Sequence, residues 1–197
     1  KLLKENKYMF TFVQIHDCQR GADTGFGVLH SYLCSKLAWN SSLDVNTLVD
    51  NYFKAMYKDA ADEMKELFTQ ERLWFATENA KSSLTTSTSL TATEKDKLPF
   101  GTMNDFMKCI DRAYAKIESY KRDTATYERL KNNIDMEWIF PAKAMLSLHK
   151  DSFTSADYEQ MKQKFKTVAE TLGFAVIKET WLNQYPTTID EYLETLS

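Results

Sequence analysis

Apolar residues recur at intervals of three and four along most of this chain, the spacing that lines one side of a helix. Phe26, Leu29, Leu33 and Leu37 follow it, predicting a helix over 26–39 that Asp23 or Thr24 caps and Asn40-Ser41-Ser42 ends. Asp44 is placed to cap a second helix whose Val45, Leu48, Val49, Tyr52, Phe53 and Met56 form a broad apolar face. A third is expected from about Asp59 to Ala80, with Ala60, Met64, Leu67 and Phe68 inward. Thr102 with Asp105 reads as the capping pair of a fourth, carrying Met103, Phe106, Ile110, Ala113, Ile117 and Tyr120. A long helix over 124–148 follows, and Pro141 inside it is expected to kink or split it near Phe140. Thr154 with Asp157 opens another, ending at Gly173, and Thr188 to Glu191 is a capping box for a last short one.

Two stretches break the helical period. Tyr8 to His16 is short and rich in aromatic and β-branched residues and runs into a polar loop over 17–25, which predicts one strand. A single strand leaves its own backbone groups unpaired, so it is expected to pair with another strand, in this chain or in a part of the protein missing from it. From Ser82 to Thr93, nine of twelve residues are Ser or Thr, so this segment reads as a solvated connection. Phe174 to Ile177 is apolar enough for a strand or an extended docking segment. The fold class is therefore mainly α, an irregular multi-helix bundle. Its parts are a strand and loop over 1–25, helices over 26–81, a linker over 82–101 and helices over 102–197 that share one core with 26–81.

Composition narrows the class further. With 5 Gly and 3 Pro in 197 residues, the chain has little of the turn chemistry of an all-β domain. Its 25 basic and 28 acidic residues are interspersed, so no basic stripe offers a nucleic-acid interface. No apolar run reaches the roughly 18 residues of a membrane span. Cys18, Cys34 and Cys109 are too far apart for a paired metal or redox motif and read as buried free thiols.

The run Gly25-Phe26-Gly27-Val28-Leu29-His30-Ser31-Tyr32-Leu33-Cys34-Ser35-Lys36-Leu37-Ala38-Trp39-Asn40 continues through Leu43-Asp44-Val45, Asn51 to Tyr57 and Ala60-Ala61. It resembles the domain of unknown function 4838 family, large proteins of glycan-degrading bacteria. There, a barrel strand leads into a helix with a Tyr-Leu-x-x-Lys-Leu-x-Trp-Asn pattern, followed by an Asp-Val pair, an aromatic-rich helix and an Ala-Ala step. The likeness is strongest over Gly25 to Phe68. The family usually has Tyr before and Gly after the Tyr57 position, where this chain has Met56 and Lys58.

The resemblance implies a glycoside-hydrolase-like protein, similar to α-glucuronidases and β-hexosaminidases, that is periplasmic, cell-surface or secreted. This chain would supply the last strand of a (β/α)8 barrel and a C-terminal helical domain. Its partners would be the upstream barrel and a glycan; no cofactor is implied.

In such barrels, chemistry sits at the C-terminal ends of the strands, which leaves Gln14 to Asp23 as the approach to it. Glycoside hydrolysis uses two carboxylates, and Asp17 and Asp23 are the acids of that loop, although either also suits a turn or a cap. His16 and Arg20 have the donors to bind a sugar hydroxyl or carboxylate, or to pair within the loop. Trp181, beside Tyr185-Pro186, is the candidate aromatic platform, whereas Trp39, Trp74 and Trp138 are expected in the core. His16, His30 and His149 are scattered, so no metal site is expected.

Overall fold

The computed structural model of the chain describes residues 26–81, 95–174 and 188–196, all but a few of them helical. Helix α1 spans Gly27–Trp39, α2 Val45–Tyr57, α3 Ala61–Lys81 and α4 Phe100–Ile117. Helix α5 spans Thr124–Leu148, α6 Ser155–Thr171 and α7 Ile189–Thr195, with single 3-10 turns at Lys58–Ala60, Glu118–Tyr120 and Lys150–Ser152. No strand occurs among the described residues, and the strand expected over 8–16 lies outside them, as does the Ser/Thr-rich segment.

Local chemistry sets most helix starts. The Asp44 carboxylate accepts from the Thr47 amide at 2.7 Å, and Asp123 accepts from the Thr126 amide at 3.2 Å. The Thr154 hydroxyl accepts from the Asp157 amide at 3.1 Å. Thr188 and Glu191 exchange side-chain bonds with each other's amides, the full capping box. Helix α6 closes through Gly173 at φ 73°. The Gly173 amide donates to the Glu170 carbonyl and the Phe174 amide to that of Ala169, the glycine-terminated stop that the sequence suggested.

Two expectations fail for tertiary reasons. Helix α4 starts at Phe100 behind an extended Pro99, not at Thr102. Leu98 is buried and its carbonyl is held by His149 Nε2 at 2.7 Å, so packing decides where the chain turns into the helix. Helix α5 passes through Pro141 without splitting. The ring removes one hydrogen bond to the Glu137 carbonyl, and neighbours enclosing residues 141–146 hold the turn together.

The helices pack in chain order, each against the next, α5 also touches α2, and the most extensive packing is between α4 and α5. One hydrophobic cluster runs through all of them, from Phe26 to Tyr192. Its densest part is aromatic: Phe53 lies 5.6 to 5.7 Å from the rings of Phe26, Tyr52, Tyr57 and Phe68. Such ring pairs add about 0.5–1.5 kcal/mol each beyond burial.

Phe53→Ala is expected to cost about 3–5 kcal/mol in urea denaturation, because it removes a fully buried ring from among four others. A second test concerns Lys58, whose φ of 48° and ψ of −117° suit glycine far better than a side chain. Its ammonium rests 5.0 Å from the Tyr120 ring, so Lys58→Ala is the proper reference for Lys58→Gly. The glycine variant should be more stable than the alanine variant by about 1–2 kcal/mol.

Candidate functional site

Helix α5 carries acids where its face turns inward. Ile134, Glu137, Trp138, Pro141 and Met145 share one side by helical spacing, and all are buried. Glu137 is 2% exposed. Its Oε2 accepts the Phe26 backbone amide at 2.8 Å, directly before the first residue of α1. Phe26 sits in the left-handed region at φ 56°, ψ 33°, and no side chain of its own caps the helix. Glu137 thus places an acceptor at the electropositive start of α1, across 111 residues of chain.

A second carboxyl lies near enough to feel the charge of the first. Glu71, on α3, keeps Oε1 out of solvent without a hydrogen-bond partner, although other parts of the residue reach the surface. Burial raises its pKa well above the ordinary 4.5, and the charge of Glu137 raises it further. Burial likewise pushes Glu137 from 4.5 up to about 7, against the opposing pull of the Phe26 amide. Tyr57, on α2, completes the group. Its hydroxyl is raised well above 10.0, first by burial and then by Glu137, Tyr52 and Glu71. Glu137 is closed to a sugar, because 2% exposure leaves it without the access that general acid catalysis needs.

A separate polar station lies one residue pair away on α5. Asp135 accepts from Tyr114 on α4 and from Lys131, and it is 1% exposed. The Lys164 ammonium lies 4.4 Å from the Trp138 ring and 5.4 Å from that of Tyr114. Burial lowers its pKa, with Asp135 and Asp111 pulling the other way. These contacts join α4, α5 and α6.

The residues singled out from sequence, His16, Asp17, Arg20, Asp23 and Trp181, all lie outside the described residues. Of the tryptophans expected in the core, Trp138 is buried and Trp74 is half-buried, donating to the Lys97 carbonyl at 2.8 Å. Trp39 is a correction: it is 93% exposed, because it falls at the last position of α1, beyond the packed turns. Cys34 is also exposed rather than buried, while Cys109 is buried and accepts from Arg112 at 3.3 Å. No group of three or more His, Cys, Asp or Glu side chains suited to a metal occurs among the described residues, and none of their helices is long and apolar enough to cross a membrane. Neither a family model, nor a curated protein, nor a solved structure matches the chain.

Glu137→Ala is expected to cost about 2–4 kcal/mol at pH 5, through an orphaned buried amide and a cavity. Glu137→Gln keeps an acceptor and isolates the charge. Folded Glu137 holds its proton to about pH 7, whereas the unfolded chain releases it near 4.5, so its contribution is complete below 4.5 and lost as pH rises through 7. Urea denaturation should show wild type losing on the order of 3 kcal/mol relative to Glu137→Gln between pH 4.5 and 8. A constant difference between the two across that range refutes the assignment.

Proposed function

We propose that this chain is a helical support domain of a glycoside-hydrolase-like protein that acts on complex glycans, and that it steadies the end of a (β/α)8 barrel rather than carrying out the chemistry. The observation that carries this reading is the grip on Phe26. That residue is 1% exposed, its ring lies 5.7 Å from Phe53 and 5.2 Å from Phe68, and its amide is bonded to Glu137. The point where residues 1–25 join the bundle is therefore among the most firmly held in the molecule. A domain that serves its neighbour by anchoring it puts its stiffness there.

Two further features support the reading. Lys58, at the position that the resembling family fills with glycine, adopts a backbone conformation that favours glycine. Glu137, at the heart of the bundle, is 2% exposed, too enclosed to meet a substrate.

A second reading, a glycan- or protein-binding module, is favoured by Trp39, which stands out with the half-exposed Leu43 and Val45 at the turn between α1 and α2. That turn is built stiffly: the Asn40 amide donates to the Lys36 carbonyl at 2.9 Å, and Asn40 Oδ1 accepts from the Ser42 amide at 3.0 Å. An exposed aromatic on a fixed turn suits a sugar face or a partner's pocket.

The chain is expected to hydrolyse none of a panel of chromogenic aryl glycosides and to give no specific signal on a glycan array. Turnover by this chain alone sinks the support reading. Micromolar binding that disappears in Trp39→Ala establishes the module instead.

A further inference from the structure

Helix α7 is tied to the bundle more by contact than by chain. The connections 40–44, 58–60, 118–123 and 149–154 hand one helix to the next within a few residues, and only 82–99 and 172–188 are longer, the second of these leading into α7. At 7 residues α7 is also the shortest α-helix described, too short to keep its form in water alone. What holds it is a seat between α5 and α6. Ile189 and Tyr192 are buried and Leu193 and Leu196 half-buried, the i, i+3, i+4, i+7 spacing with which a helix lays one side onto another protein surface. At the centre the Tyr192 ring lies 5.6 Å from Phe165 of α6, and its hydroxyl meets Ser147 Oγ of α5 at 2.7 Å and donates to the Lys143 carbonyl at 3.3 Å. At the rim Asp190 pairs with Lys166 at 2.7 Å, and Lys150 donates to the Leu196 carbonyl at 3.2 Å. A buried aromatic anchor with a satisfied hydroxyl and a charged rim is the anatomy of a bound peptide.

We propose that the seat between α5 and α6 also takes α7 from a second copy of this chain, so that two chains exchange their last helices. The groups that make the contact lie on α7, α5, α6 and the turn at Lys150, and none of them lies on the stretch that ties α7 to α6. A second copy's α7 therefore offers the seat the same ring, hydroxyl and carboxylate, whereas a foreign helix has to reproduce a tyrosine at the one position that meets Ser147. Chain length permits the exchange. Residues 175–187 number thirteen, and a chain of that length reaches at most about 45 Å, well beyond the roughly 16 Å radius of gyration of a folded protein this long. Because both arrangements make the same contacts, concentration decides between them. A helix on its own tether is present at an effective concentration on the order of 1 mM, so each chain keeps its own α7 in dilute solution and exchange sets in as the protein approaches that range, or at once when its own α7 is impaired. The inference does not rest on the support role.

Two full-length variants test it by complementation. Tyr192→Asp puts a charge where the ring sits, so its own α7 cannot dock, and Ser147→Trp fills the seat while leaving α7 intact. Mixed in equal amounts at about 0.5 mM, within the range of the tethered helix's effective concentration, the two should sediment with a mean mass above that of either alone, rising towards twofold. A mixture that sediments as its components do overturns the proposal, and so does association that persists when the Tyr192→Asp chain carries Ser147→Trp as well. Should either variant fail to fold, isotope-filtered NOE spectra decide, taken on carbon-13-labelled and unlabelled wild type refolded together at about 1 mM. A contact between Phe165 of one chain and Tyr192 of the other upholds the exchange, and its absence refutes it.

Discussion

Helix α5 is enclosed along most of its length, with residues 141–146 buried without a break, so the polar side chains it turns inward have only the protein to bond to, and apart from Asn132 Oδ1 few lack a partner there. That constraint organises the bundle. Asp135 reaches Tyr114 of α4, and Glu137 reaches the start of α1. His149, just past the helix, takes the Leu98 carbonyl ahead of α4. Ser147 Oγ meets the Tyr192 hydroxyl of α7 at 2.7 Å. Three of these bonds land close to the start of a described stretch, at Phe26, Leu98 and Tyr192, and the fourth on Tyr114 within α4. Apolar packing sets how tightly the helices pack, and these polar contacts decide which segment docks where.

Much of the helical layout was legible in the sequence because its causes are local. Asp44, Thr154 and Thr188 cap through atoms three residues away, and Gly173 stops α6 by its own left-handed backbone. The 3.6-residue period likewise marked Met103, Phe106, Ile110, Ala113 and Ile117 as one buried face. Legibility ended where distant residues decide. Pro99 rather than Thr102 precedes α4 because Leu98 is pulled into the core, and Trp39 is exposed because α1 runs one turn past its support. Helix α1 spreads its apolar and polar residues, His30, Ser31, Ser35 and Lys36 among them, around all sides, so its periodicity gives little clue to which side is covered.

The acid pair was illegible for the same reason. Glu137 lies between Ile134 and Trp138 on a core-facing side, and a charged residue at such a position was the available signal. Its meaning required knowing that Phe26 and Glu71, 111 and 66 positions away in the chain, share the same place. The candidates chosen from the barrel resemblance, His16, Asp17, Arg20, Asp23 and Trp181, lie outside the described residues.

Glu137 also stands where α5 is weakest in its own hydrogen bonding. Four residues on, Pro141 has no N–H to give the Glu137 carbonyl, so the backbone at this turn lacks one helical bond. An apolar residue here would remove the desolvation cost of the carboxyl and, by the usual balance for buried charges, would not weaken the core. It would also leave the Phe26 amide with no acceptor at the mouth of α1, on a residue already held at positive φ. The acid is therefore best understood through what it holds. A single side chain joins the turn of α5 before Pro141 to the left-handed start of α1.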